Sequence, residues 1–172
     1  MARRVLVTGS RDWLDIHLVR NELAKLIEPN NHLTVVHGAC PTGVDAVADL
    51  WAQQNAFINE RHPADWKRHK GSAGYRRNAE MVALGADLCL AFIRNGSKGA
   101  THTADLAEKA GIPVRRFLET SEGAQPPGIR VISCTPPPVE GVAADNLQSE
   151  LDRLERPYER VLSDDCEPGD LG

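Results

Sequence analysis

Apolar runs of strand length alternate with stretches of helical period along residues 3–117. Val5, Leu6 and Val7 form the first run, so Arg3 to Thr8 is expected as a buried strand. Trp13, Ile16, Val19, Leu23 and Leu26 then fall on one helical face, with Ser10 as the expected cap and Pro29-Asn30-Asn31 as the stop. Thr34 to Val36 is a second β-branched run. It leads through Gly38 and Gly43 to a helix with Val44, Val47, Ala48 and Trp51 on one face, Thr42 as N-cap and Asp45 in the first turn. Ala56 to Glu60 reads as a weaker third strand. A basic loop, Lys67 to Lys70, then precedes a helix with Asn78, Met81, Val82 and Gly85 on one face. Ala86 to Ile93 is the fourth strand. Ala104, Leu106, Ala107 and Ala110 belong to the next helix, Gly111 closes it, and Ile112-Pro113-Val114 opens a fifth strand.

Strands alternating with helices of this length imply β-α-β units with right-handed crossovers. The expected fold is therefore α/β, a doubly wound parallel sheet of about five strands. In such sheets ligands bind beyond the carboxyl ends of the strands. The polar loops after strands one to four all emerge at that edge, which makes a small-molecule site the leading expectation.

Composition changes this picture beyond residue 118. Residues 1–117 carry 16 Lys and Arg against 12 Asp and Glu, a net of +4; residues 118–172 carry 4 against 12, a net of −8. The division expected is a folded domain over 1–118 and an acidic extension over 119–172. The extension begins with a Pro/Gly-rich linker, Glu119 to Gly128, followed by β-like Ile129 to Ser133, which could add an edge strand. Leu147, Leu151, Leu154, Tyr158 and Val161 form a seam at spacings of four and three, expected to be a short amphipathic helix that docks on its own domain, a second copy or a partner protein. Pro157 interrupts it, and the acidic end from Asp164 is expected to be disordered. No apolar run approaches the roughly 18 residues of a membrane span. The N-terminus enters the first strand without a secretory apolar region, and the four cysteines contain no C-x-x-C pair. Reduced thiols and a cytoplasmic location are expected.

The candidate chemistry is anion binding. Gly38 and Gly43 bracket a turn that feeds a helix N-terminus, where free N–H groups and the dipole suit a phosphate. Gly96-Ser97-Lys98-Gly99-Ala100-Thr101 offers successive N–H groups after an apolar strand. It lacks the Gly-Lys-Ser/Thr of ATPase phosphate loops, and neither glycine loop matches G-x-G-x-x-G. Arg11 is either a phosphate partner or a solvated charge. Arg76 and Arg77 lie near a helix start, where cations oppose the macrodipole. Either an anionic ligand is held there, or Asp65, Glu80 or solvent absorbs the charge. His37, Cys40 and His62 lack metal-ligand spacing, so no metal is expected. No catalytic arrangement is legible in the order of residues; Asp45, Asp65 and His102 are the groups to consider for acid–base work.

Five ordered motifs resemble one known family. Leu6-Val7-Thr8-Gly9-Ser10-Arg11-Asp12-Trp13, His37-Gly38-Ala39-Cys40-Pro41-Thr42-Gly43-Val44-Asp45, Ala64-Asp65-Trp66, Ala73-Gly74 with Arg77-Asn78, and Gly96-Ser97-Lys98-Gly99 look like the SLOG superfamily. Its YspA-like (cpYpsA-related) branch, common in bacteria and their phages, is the nearest in pattern. The likeness covers about residues 4–117. It implies a Rossmann-like sheet whose glycine loops bind a nucleotide or nucleotide-derived ligand; no cofactor is expected. By motif it implies a site at Gly9, Ser10, Arg11, Gly38, Ala39, Thr42, Gly43, Asp45, Arg77, Asn78, Gly96, Ser97, Gly99, Ala100 and Thr101. The LOG phosphoribohydrolases of the superfamily carry Pro-Gly-Gly-x-Gly-Thr-x-x-Glu, where the threonine helps the phosphate site and the glutamate serves catalysis. Here Asn95, Ser97 and Ala100 replace the proline, second glycine and threonine, and His102 or Thr103 stands near the glutamate's place. A ligand sensor is therefore expected ahead of hydrolysis of a nucleoside 5′-monophosphate. DNA binding, by analogy with DprA, comes third, since an extension of −8 repels a phosphate backbone.

Overall fold

The computed structural model describes residues 2–29, 32–120 and 130–132. The expected leucine seam and acidic end, residues 121–128 of the expected linker, and Ile129 and Ser133 of the expected edge strand lie outside the described residues. Among the described residues the elements run β1 (Ala2–Gly9), α1 (Ile16–Ala24), β2 (His32–His37), α2 (Gly43–Gln54), β3 (Ile58–Arg61), α3 (Trp66–His69), a 3-10 turn (Lys70–Ser72), α4 (Ala73–Ala83), β4 (Leu88–Arg94), α5 (Lys98–Lys109), β5 (Val114–Glu119) and β6 (Arg130–Ile132).

The sheet order is β3-β2-β1-β4-β5-β6. The first five strands are parallel, and β6 runs antiparallel to β5, with Phe117 opposite Val131. From β1 the chain winds outward through β2 and β3, then returns to place β4 on the other flank of β1. The reversal leaves a crevice between β1 and β4 at the carboxyl edge, where ligands of this architecture bind. The fold is thus the expected α/β, Rossmann-like arrangement.

Period-two alternation along the strands divides the core between two faces. Val5, Val7, Val35, Leu90, Phe92 and Phe117 face one side, against Val19 and Leu23 of α1 and Val44, Ala48 and Trp51 of α2. Leu6, Val36, Cys89, Ala91 and Ile93 face the other, against Ala79, Met81 and Val82 of α4 and Ala104, Leu106 and Ala107 of α5. Phe92 stacks on Phe117 with centroids 4.6 Å apart, and Trp13 meets Phe92 edge-on at 5.4 Å. Burial pushes the free Cys89 thiol up to about 12, so it packs as a small hydrophobe.

Local departures from expectation have local causes. Ser10 does not cap α1; Asp15 does, accepting from Leu18 N at 2.9 Å, so the helix starts later and Ile16 is 44% exposed. Ala56 adopts φ 55°, which delays β3 to Ile58. The basic run is not a loop. Asp65 accepts from Arg68 N at 3.0 Å and caps the short α3, which passes through Lys70 at φ 44° into the 3-10 turn.

Candidate functional site

Loops at the carboxyl ends of β1, β2 and β4, with one face of α4, line an open-mouthed cleft whose empty space, open solvent at the mouth included, is about 510 Å³. Its lining includes Gly9, Arg11, Gly38, Asp45, Arg77, Asn78, Ser97, Gly99 and Ala100 of the expected set, joined by Thr8, Cys40 and Met81. Those three were missed by the sequence reading. Thr8 precedes the glycine that ends β1, and Met81 stands one helical turn beyond Arg77 and Asn78, so strand end and helical spacing could have found both.

The remaining expected residues shape the walls. Ser10 is buried; its Oγ accepts from Arg94 N at 2.8 Å, and its carbonyl accepts from Val44 N at 3.4 Å. The loop after β1 is thereby fastened to the end of β4 and to the first turn of α2. Gly43, at φ 67°, lets the two loops meet, because a Cβ there would collide with Arg11 Cα and Ser10 O. A Cβ on Gly9 would strike the Val44 side chain, so this glycine sets the spacing between β1 and α2 even as it lines the cleft. Thr42 occupies the N-cap of α2 but makes no side-chain cap bond. Ala39 turns the backbone at φ 55°, and Gly96 does so at φ 67°. Thr101 donates its N–H to Ser97 O at 3.0 Å, which is where the α5 ladder begins.

That last bond leaves the N-terminal turn of α5 without a ladder partner at the cleft. Lys98, Gly99 and Ala100 precede the ladder, and Ser97 supplies no side-chain cap. Gly99 and Ala100 line the cleft with exposed Arg11 nearby. By contrast, α2 has spent part of its N-terminus on Ser10 O.

The Gly38–Thr42 loop is held from within the protein. His37 is fully buried, its Nδ1 accepting from Ala39 N at 3.2 Å and its Nε2 lying 2.8 Å from Asn59 Oδ1. Those two contacts place the ring proton on Nε2. Asn59 in turn donates to Asp49 Oδ1 at 2.6 Å. Burial opposes the Asp49 charge, yet Asn59, Gln53, His37 and Arg61 prevail and lower its pKa.

Arg77, weighed between an anionic ligand and Asp65, Glu80 or solvent, makes its hydrogen bonds to other protein groups. Its Nη1 donates to Gly38 O and, at 3.1 Å, to His62 O, while its Nε donates to Asn78 Oδ1 at 2.8 Å. One guanidinium thus ties α4 to the loops after β2 and β3. His62 is itself fixed by Glu60, at 2.7 Å from Nε2, and Glu60 receives both terminal nitrogens of Arg4. Arg4 accordingly leads the causes that hold the Glu60 carboxyl below its usual range, with His62 contributing. The electrostatic counterpart of Arg77 is Asp45, which is 7% exposed, lines the cleft, and accepts from Cys40 N at 3.2 Å. Burial raises the Asp45 pKa, against the pull of Arg77, His37 and the N–H groups of Cys40 and Gly38.

Neither residue near the place of the LOG glutamate lines the cleft. Thr103 is fully buried with its Oγ1 donating to Gly99 O at 3.0 Å, and His102 packs edge-on to Tyr75 at 4.9 Å.

A family model described as YAcAr, the YspA, cpYpsA-related SLOG family, matches residues 3–69. Gene 61 protein of Mycobacterium phage D29 is 47% identical over 121 residues, covering 67% of this chain and 96% of that protein. The chain belongs to the YspA, cpYpsA-related SLOG family. No solved structure matches it. The span matched by the SLOG model runs from β1 to the end of α3 and holds the loops after β1 and β2; Arg77, Asn78 and the Ser97–Ala100 wall lie beyond it. Among the described residues no helix is long and apolar enough to cross a membrane.

Proposed function

We propose that this SLOG protein binds a nucleotide or nucleotide-derived small molecule in the cleft and acts as a ligand sensor rather than a hydrolase. The observation that carries this reading is the start of α5 at the crevice between β1 and β4, where Gly99 and Ala100, ahead of the hydrogen-bond ladder, line a cleft shared with Arg11. Aligned N–H groups, a positive dipole end and a guanidinium together favour a phosphate group. Membership of the family supports the same class of ligand. The preference for sensing rests on the cleft's acids. Among the described residues Asp45 is the lone carboxylate of the lining, and it is engaged by the loop's own N–H groups.

Thermal melts of the full chain with nucleoside 5′-monophosphates test this. The melting temperature should rise with concentration, by the equivalent of about 2.7 kcal/mol at a hundredfold excess over Kd. Chromatography of the same mixtures should show intact nucleotide. Release of free base, abolished by substituting Asp45, would make the protein a phosphoribohydrolase instead. Unchanged melting with every nucleotide would contradict the reading.

A further inference from the structure

We infer that Asp45 reads the vicinal hydroxyls of a ribose, making the cleft selective for ribonucleotides over 2′-deoxyribonucleotides. This rests on the nucleotide reading above and adds which part of the ligand lies against which wall. The argument begins with charge. Among the described residues the cleft presents two cations, Arg11 and Arg77, and one carboxylate, Asp45. An anionic ligand that fills the cleft meets that carboxylate, and an acceptor placed against it would be repelled at close range. The part of the ligand nearest Asp45 must therefore donate hydrogen bonds.

Geometry narrows the donor. Asp45 is 7% exposed and sits in the first turn of α2, held by the N–H of Cys40 at 3.2 Å and by that of Gly38. The two backbone donors fix the orientation of the carboxylate. An ionised carboxylate has about four lone-pair sites, so sites remain for donors arriving from the cleft. A cis-diol presents two hydroxyls at a spacing that suits the two oxygens of one carboxylate. Arg77, bound to Gly38 O and in electrostatic reach of Asp45, offsets part of the carboxylate's repulsion for the ligand's phosphate. The phosphate would lie at Gly99 and Ala100 on the opposite wall, with the sugar between.

A paired titration calorimetry experiment on the full chain decides this. Adenosine and guanosine 5′-monophosphates are compared with their 2′-deoxy counterparts, with ribose 5-phosphate as a probe lacking the base. The ribonucleotides should bind about 10-fold or more tightly than the deoxy forms, as expected for hydrogen bonds to a charged group. Ribose 5-phosphate should compete. Asp45→Asn should shrink the ribo/deoxy ratio towards one; a folded variant that keeps the full ratio would overturn the assignment. Should that variant fail to fold, the ratio measured on the unaltered chain still decides. Equal binding of ribo and deoxy forms would overturn the assignment of Asp45 while sparing the nucleotide site. Loss of binding on replacing adenosine by inosine monophosphate, without any ribose effect, would assign the donor to the base and likewise overturn it. Absence of binding by every probe would remove the nucleotide reading itself, and this inference with it.

Discussion

Arg77 illustrates how far a residue's role can differ from its local electrostatics. Judged only against the α4 dipole, its charge is unfavourable by some tenths of a kcal/mol, and its removal should stabilise the unliganded protein. The guanidinium instead donates to Gly38 O and His62 O and faces the buried Asp45. Hydrogen bonds to a charged group outweigh the dipole term. Arg77→Ala should therefore destabilise the unliganded chain by about 1.5–3 kcal/mol, and Arg77→Lys should recover only part, because an ammonium lacks the planar fork whose Nε also reaches Asn78 Oδ1. Denaturant titration of the three proteins checks this; an Arg77→Ala variant as stable as the parent would show that the clip contributes nothing. The sequence could mark Arg77 as unusual for a helix start. It could not name the carbonyls, which come from positions 39 and 15 residues away.

At the scale of elements, the loops after β1 and β2 form one unit. Ser10 O accepts from Val44 N, and Gly43 at φ 67° brings the α2 start against the Ser10–Arg11 backbone. Gly43→Ala has to bear both the left-handed conformation, about 1–2 kcal/mol, and a collision with backbone that has no flexible end to yield. It should lower the melting temperature by several degrees and weaken nucleotide binding, since Arg11 moves with the loop. Wild-type melting and binding in this variant would mean that the two loops are independent. The strands and helices themselves were legible, because apolar runs and helical spacing suffice to define them. The glycines were legible only as glycines. Gly9 and Gly43 read as site positions by motif, yet Gly43 makes room for a neighbouring loop and Gly9 for Val44 as well as the cleft. Ser10 and Asp15 exchanged capping roles for a similar reason: both have capping side chains, and tertiary contact with Arg94 claims the first.

At the scale of the molecule, the crevice follows from winding order, which strand-helix alternation implies but does not specify. The edge of the sheet was legible, and so were the loops that reach it. Which of their helix starts remains open was not, because α2 and α5 look alike in sequence. Only the packed structure shows that Ser10 O meets the first turn of α2, whereas Gly99 and Ala100 face the cleft. The central claim is that a nucleotide's phosphate lies at this α5 start. Backbone amide resonances followed by NMR during titration of the 18.8 kDa chain with adenosine or guanosine 5′-monophosphate test it most directly. The account predicts that Gly99 and Ala100 shift most strongly and saturably, with Gly38 and Arg11 following. Saturable shifts centred elsewhere, with Gly99 and Ala100 unmoved, would contradict it.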